Sequence, residues 1–217
     1  MIKLRLFLNH LEKTGEPRMK KVSALIVFSL ILLVPASALL AQPKPLANQP
    51  VLLTSCGQSP GPAIIKVVLQ KLNIEFELNP LATAASLQQK KASGQPYGSV
   101  IIVMGASLKG MGAAGISIED EIKRISQLIE EARKEGVTVV GAHVEGMKRR
   151  SQGASAGDTT DEQSIDAVAP NSQLLLINKD GNSDGRFTAI AQAKNIPLIE
   201  VEKNVDLIKE LARIYGR

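Results

Sequence analysis

The stretch Ser99-Val100-Ile101-Ile102-Val103 carries four adjacent β-branched apolar residues between Gly98 and Gly105. Side chains of this kind suit a strand. A run without polar alternation is covered on both faces, as in a parallel sheet. Downstream lies a helix with well-marked ends. Ser117 is its N-cap, Glu119, Asp120 and Glu121 fill the positive first turn, and Gly136 supplies the stop. Ile118, Ile122, Ile125, Leu128, Ile129 and Ala132 form its apolar stripe. Glu119–Lys123, Asp120–Arg124 and Glu130–Lys134 are spaced as ion pairs on its wet face. Val137 to Ala142 follows as the next strand.

The same alternation extends in both directions. Upstream, Val51 to Thr54 reads as a strand, and Pro60-Gly61-Pro62 opens a helix carrying Ile64, Ile65, Val68, Leu69 and Leu72. Ile74 to Leu78 alternates, with Glu75 and Glu77 outward and Phe76 inward, and a weaker helix covers Ala82 to Lys91. Downstream, Thr160 and Gln163 form a capping box for a short helix ending before Pro170. Gln173 to Ile177 is a strand, Gly185 to Asn195 a helix capped by Asp184, and Ile196 to Val201 a strand. Asn204 caps a last helix with Leu207, Ile208, Leu211 and Ile214 inward. Short strands alternating with helices predict an α/β fold: a single three-layer αβα domain over residues 51–217. Its sheet is mostly parallel, with five to six strands, Rossmann-like or flavodoxin-like in class.

The N-terminus has another character. Met19-Lys20-Lys21, the apolar run Val22 to Val34 and the small residues Ala36-Ser37-Ala38 and Leu39-Leu40-Ala41 read as a signal peptide over 19–41, cleaved after Ala41. The alternative is a retained anchor, since Val22 to Ala41 is about long enough to span a bilayer. In both cases the body lies outside the cytoplasm, periplasmic or secreted. Residues 1–18 read as an extension before a start at Met19, and Gln42 to Pro50, with three prolines, as a tether. Cys56 is the only cysteine, so no internal disulfide supports the fold, and it stands too far from the apolar run for a lipoprotein-processing site.

Charge divides along the same line. Lys3, Arg5, Lys13, Arg18, Lys20 and Lys21 face only Glu12 and Glu16 in the leader, leaving the body 20 of the 26 cations and 19 of the 21 carboxylates. A nearly neutral body with four aromatics (Phe76, Tyr97, Phe187 and Tyr215) is not a nucleic-acid binder. One body histidine and one cysteine, without paired ligand spacing, predict no metal site. Neither G-x-x-x-x-G-K-[ST] nor G-x-G-x-x-G is present, and no cofactor is expected.

Ligands of an open α/β sheet gather beyond the carboxyl ends of the strands, which singles out four loops. The first holds Ser55, Cys56, Gly57, Gln58 and Ser59, where small residues let backbone N–H groups approach an anion; an ordinary strand-to-helix turn is the other reading. The second, Gly105 to Gly112, contains Ser107 and either contacts a ligand or forms a flexible lead-in. The third begins at His143 and Glu145 and contains Lys148, Arg149 and Arg150, the body's only run of three cations, within about 15 aperiodic residues. It reads as an anion-binding loop or as a solvated charge run. The fourth, Asn178 to Gly185, offers Asn178 as a ligand contact. Asp180, Asn182 and Asp184 lack the glutamate that a calcium loop needs, since residue 191 is Ala.

Ser-Ile-Asp-Ala-Val-Ala-Pro (164–170), Gly-Asn-Ser-Asp-Gly-Arg-Phe-Thr-Ala-Ile-Ala (181–191), Ile-Pro-Leu-Ile-Glu-Val (196–201) and Leu-Leu-Thr-Ser-Cys-Gly-Gln-Ser-Pro-Gly (52–61) together resemble a family of secreted bacterial α/β proteins catalogued as a domain of unknown function. The resemblance covers about residues 50–216 and implies a signal peptide and one α/β domain; it implies no catalytic role. The residues themselves lead to an expectation of small-anion binding through Ser55, Gln58, Ser59, Ser107, His143, Arg149, Arg150 and Asn178. Two alternatives stand beside it. One is a hydrolase or transferase with His143 as acid/base and Ser55, Cys56 or Ser107 as nucleophile. The other is an interaction module of the cell envelope.

Overall fold

The computed structural model describes residues 44–150 and 159–217. The leader over 19–41, the extension before it and the middle of the third loop lie outside the described residues.

The elements run β1 (Val51–Cys56), α1 (Gly61–Lys71), β2 (Phe76–Leu78), α2 (Ala84–Ala92), β3 (Ser99–Met104), α3 (Leu108–Ala114), α4 (Ile118–Glu135), β4 (Thr138–His143), α5 (Thr160–Val168), β5 (Leu174–Asn178), α6 (Arg186–Lys194), β6 (Leu198–Val201) and α7 (Leu207–Tyr215). The six strands form one sheet in the order β2-β1-β3-β4-β5-β6. Every pairing is parallel.

The unbroken apolar runs have the expected cause. Val100 and Ile102 point into one core with α2, α4, α5 and α6, through Leu87, Ile125, Leu128, Ile165 and Phe187. Ile101 and Val103 point into the other with α1 and α7, through Ile65, Leu69, Leu207, Leu211 and Ile214. The chain moves from β1 to β2 through α1 on one face, then back across β1 to β3 through α2 on the opposite face. Reversing both direction and face keeps the crossover hand constant.

Some local expectations are corrected. Thr159 rather than Thr160 caps α5, its Oγ1 accepting from Glu162 N at 3.2 Å. The last helix begins with a 3-10 turn over Asn204–Asp206, and Lys203 N donates to Asp206 Oδ2 at 3.0 Å. Asn182 Oδ1 shares the start of α6 with Asp184, accepting from Phe187 N at 2.8 Å. Gly110 and Gly112 lie within a helix, because Ser107 Oγ accepts from Gly110 N at 3.1 Å. A Cβ on Gly110 would stand 2.2 Å from Gln58 O, so only glycine lets this helix approach the first loop. In the stretch read as a tether, Leu46 N and Ala47 N donate to Ile214 O, and Ala47 is buried.

Candidate functional site

Strand order reverses between β1 and β3, where a sheet of this kind opens a crevice at its carboxyl edge. Here that crevice is closed by the chain's own groups. Gln58 and Ala106 form an antiparallel bridge, and Ser107 N donates to Gly57 O at 2.7 Å. Gly57 N donates to Glu121 Oε2 at 2.7 Å, and the Gln58 amide donates to both oxygens of the same carboxylate. Ala106 N donates to Asp161 Oδ1 at 2.7 Å. At the start of α1, Gly61 N donates to Glu145 Oε2 at 3.1 Å and to Ser59 Oγ at 3.3 Å. The backbone donors that would receive an anion therefore hold internal carboxylates. Burial pushes the Asp161 carboxyl up, against the pull of the Ala106 amide.

The basic run is also largely committed. Arg149 Nη1 donates to Ala106 O at 2.8 Å, and its Nε faces Glu145 Oε1 at 3.3 Å. Arg150 is fully buried at its side chain. It binds Glu162 Oε1 at 2.7 Å, Asp184 Oδ2 at 2.6 Å and the Gly181 carbonyl, and lies over the Phe187 ring at 5.3 Å. Burial opposes ionisation, yet the two carboxylates hold the Arg150 guanidinium above its ordinary value. Asp184 is also opposed by burial but is held below its ordinary value by Arg150.

His143 is buried, with Nδ1 3.1 Å from Met104 O and Nε2 3.0 Å from Gly146 O. Cys56 is buried as well, and burial pushes its thiol up to about 12. A thiol so shielded supplies little thiolate for attack at neutral pH. Ser164 Oγ donates to Cys56 O at 2.6 Å and accepts from Gly105 N at 3.1 Å. Ser55 Oγ is buried without a hydrogen-bond partner among the described residues. Thus Gln58 and Ser107 meet at the closed crevice, Ser59 and Arg149 meet over Gly105, and His143 and Arg150 lie below the surface.

Asn178 occupies a separate place. With Lys148 it lines an open cleft of about 370 Å³ beyond β4, β5 and β6, whose other walls include Glu145, Asp180, Glu202 and Asn204 over Ile64 and Val144. Asp180 Oδ2 accepts from Met147 N at 2.9 Å, Lys179 pairs with Glu202, and Asn178 Nδ2 donates to Asn204 Oδ1 at 3.4 Å. Lys148 is exposed and has no carboxylate partner among the described residues. Sequence reasoning missed Asp180, Glu202 and Asn204 as wall residues. Their one shared signal is position, since each lies within a few residues of a strand's carboxyl end. Among the described residues, no group of three or more His, Cys, Asp or Glu side chains is placed to hold a metal ion.

The chain is similar to several solved structures. A GDSL-like lipase from Bacteroides thetaiotaomicron aligns over 77% of this chain and 78% of its own, at 16% identity and a TM-score of 0.32. An acetyl xylan esterase aligns over 75% and 84%, at 12% identity and a TM-score of 0.33. A GDP-L-fucose synthetase from Naegleria fowleri, bound to NADP, aligns over 75% and 52%, at 12% identity and a TM-score of 0.35. No curated protein matches the sequence. Across residues 48–215, which hold all six strands, the chain matches and belongs to the family described as Domain of unknown function (DUF6305).

Proposed function

We propose that the protein is an exported binding protein for a small metabolite that carries an anionic group, held in the cleft beyond β4, β5 and β6. The observation that carries this reading is Lys148, a cation without a carboxylate partner among the described residues, on the wall of a 370 Å³ cleft whose other charged walls are carboxylates. That volume lies near the lower end of the range for small-molecule sites. Lys148 supplies a point charge for a carboxylate or phosphate. Asp180 and Glu202 suit an ammonium or hydrogen-bond donor at the other end of the ligand, and Ile64 and Val144 an apolar middle. A zwitterion of amino-acid type fits this arrangement better than a bare anion, whose backbone donors at the neighbouring crevice are occupied. The leader supports export.

A thermal-shift series with amino acids, dicarboxylates, phosphates and diamines tests the reading. A ligand at about 100 times its dissociation constant adds about 2.7 kcal/mol, or about 5–10 °C for a domain of this size. Lys148→Met is expected to weaken the best zwitterion by about tenfold in calorimetry and leave the melting midpoint of the free protein unchanged. Equal affinity for wild type and variant, or a response to diamines alone, would remove Lys148 and its anionic ligand from the site.

A further inference from the structure

The opposite end of the sheet carries a different charge. Apart from α3, which stays at the carboxyl end, each helix returns antiparallel to the strands and so finishes at their amino ends. Lys71 closes α1, Lys91 α2, Arg133 and Lys134 α4, Lys194 α6 and Arg213 α7. Lys44 and Arg217 join them from outside the helices. Arg217 donates to Asn73 O ahead of β2, Arg133 donates to Asn171 O ahead of β5, and Pro45 packs beside Gly216. All eight cations are exposed. Among the described residues, the carboxylates at this end are Glu75, Glu130, Glu131, Glu135 and Glu210. Of these, Glu130 and Glu131 pair with Lys134, and Glu210 pairs with Arg213. Lys44, Lys71, Lys91 and Lys194 have no carboxylate partner among the described residues. Favourable interaction with helix dipoles accounts for cations in last turns, but not for Lys44 and Arg217, nor for the missing counter-charge.

We propose that this end of the sheet is a docking face for an anionic bilayer surface. The cations belong to both helical layers rather than to one groove, which suits a plane. None of the four body aromatics is exposed, so the base-stacking surface of a single-strand nucleic-acid binder is absent among the described residues. Lys44, the first described residue, lies at this face and follows the end of the apolar run at Val34 by ten positions in the sequence. Clustered Lys and Arg are attracted to anionic headgroups within about a Debye length, roughly 8–10 Å. Docking by this face leaves the cleft at the carboxyl ends of the strands directed away from the membrane.

The full chain is tested on vesicles with an environment-sensitive fluorophore attached at Gln70→Cys on the basic face or at Leu108→Cys at the far end. Cys56 is buried and stays silent. On vesicles of equal phosphatidylcholine and phosphatidylglycerol, the label at 70 shifts to an apolar signal and the label at 108 does not. On phosphatidylcholine alone, neither shifts. Combining Lys44→Gln, Lys71→Gln, Lys91→Gln and Lys194→Gln weakens the response at 70 by about tenfold or more. Equal responses at 70 on both lipids would mean that the leader alone brings the domain to the surface and would overturn the proposal. So would a response confined to 108, or an unchanged response in the quadruple variant. Should that variant fail to fold, the two-lipid comparison on the wild-type background still decides.

Discussion

Both ring nitrogens of His143 face backbone carbonyls, Met104 O at 3.1 Å and Gly146 O at 3.0 Å, yet a neutral imidazole donates to only one of them. A proton on the second nitrogen would satisfy both carbonyls. Burial opposes it more strongly and, with the nearby Arg150, holds the His143 pKa below its ordinary value despite the pull of the carbonyls and Glu145. The unfolded chain therefore takes up this proton more readily than the folded one. The contribution of His143 to stability is complete above pH of about 6.5 and is lost as pH falls toward the lowered folded value, by up to about 1.4 kcal/mol per pH unit. The urea midpoint of the wild type is expected to fall between pH of about 7 and about 5.5, and His143→Gln is expected to be less stable at neutral pH and to lose most of that slope. Parallel pH profiles for the two proteins would assign the acid response to other groups. The strand-end position of His143 was legible in the sequence. Its pocket was not, because the ring is closed in by Gly181, where a Cβ would stand 2.6 Å from His143 Cδ2.

At the scale of one element, α4 separates what periodicity reveals from what it hides. Its ends and most of its stripe follow from local chemistry, with Ser117 and Asp120 capping the start and Gly136 in the left-handed conformation at the end. Glu121 and Arg124 break the pattern. The i,i+4 spacing points to Asp120–Arg124 on the wet face, whereas the structure buries an i,i+3 pair, Arg124 Nη2 to Glu121 Oε2 at 2.9 Å. The partners that make burial tolerable come from distant loops: Arg124 donates to Ala82 O and Ser55 O, and Glu121 accepts from Gly57 N. Nothing within α4 encodes them. Glu121→Ala leaves a buried guanidinium without its counter-charge and releases the first loop, so it is expected to cost about 3–5 kcal/mol in denaturant unfolding. Adding Arg124→Met removes the stranded charge and should recover a substantial part of that loss. Simple additivity of the two single costs would show that the pair is not energetically coupled.

Across the whole molecule, the fold class was legible because four adjacent apolar residues in β3 require cover on two faces. Strand order was not, because β1, β3, β4 and β5 have the same apolar character and nothing local says which neighbours which. The basic run of the third loop divides for a related reason. Lys148, Arg149 and Arg150 are adjacent in the chain, but one lines the cleft and the other two are tied to Glu145, Glu162 and Asp184. Position in the sheet also sets how rigid each strand should be. β1, β3, β4 and β5 pair on both sides and lie between two helical layers. β2 and β6 are the edges, short and half-exposed, with Glu77 and Glu200 exposed upon them as charges that discourage pairing with another chain. Amides that open only with global unfolding exchange slowest, and those in thinly covered elements exchange through local fluctuations. Hydrogen exchange read by mass spectrometry is therefore expected to protect the four inner strands longest and to release β2 and β6 about tenfold sooner or more, a difference of about 1.4 kcal/mol in opening. Protection of β6 equal to that of β5 would mean that something covers the edge in solution, and its loss at low protein concentration would identify the cover as a second copy of the chain.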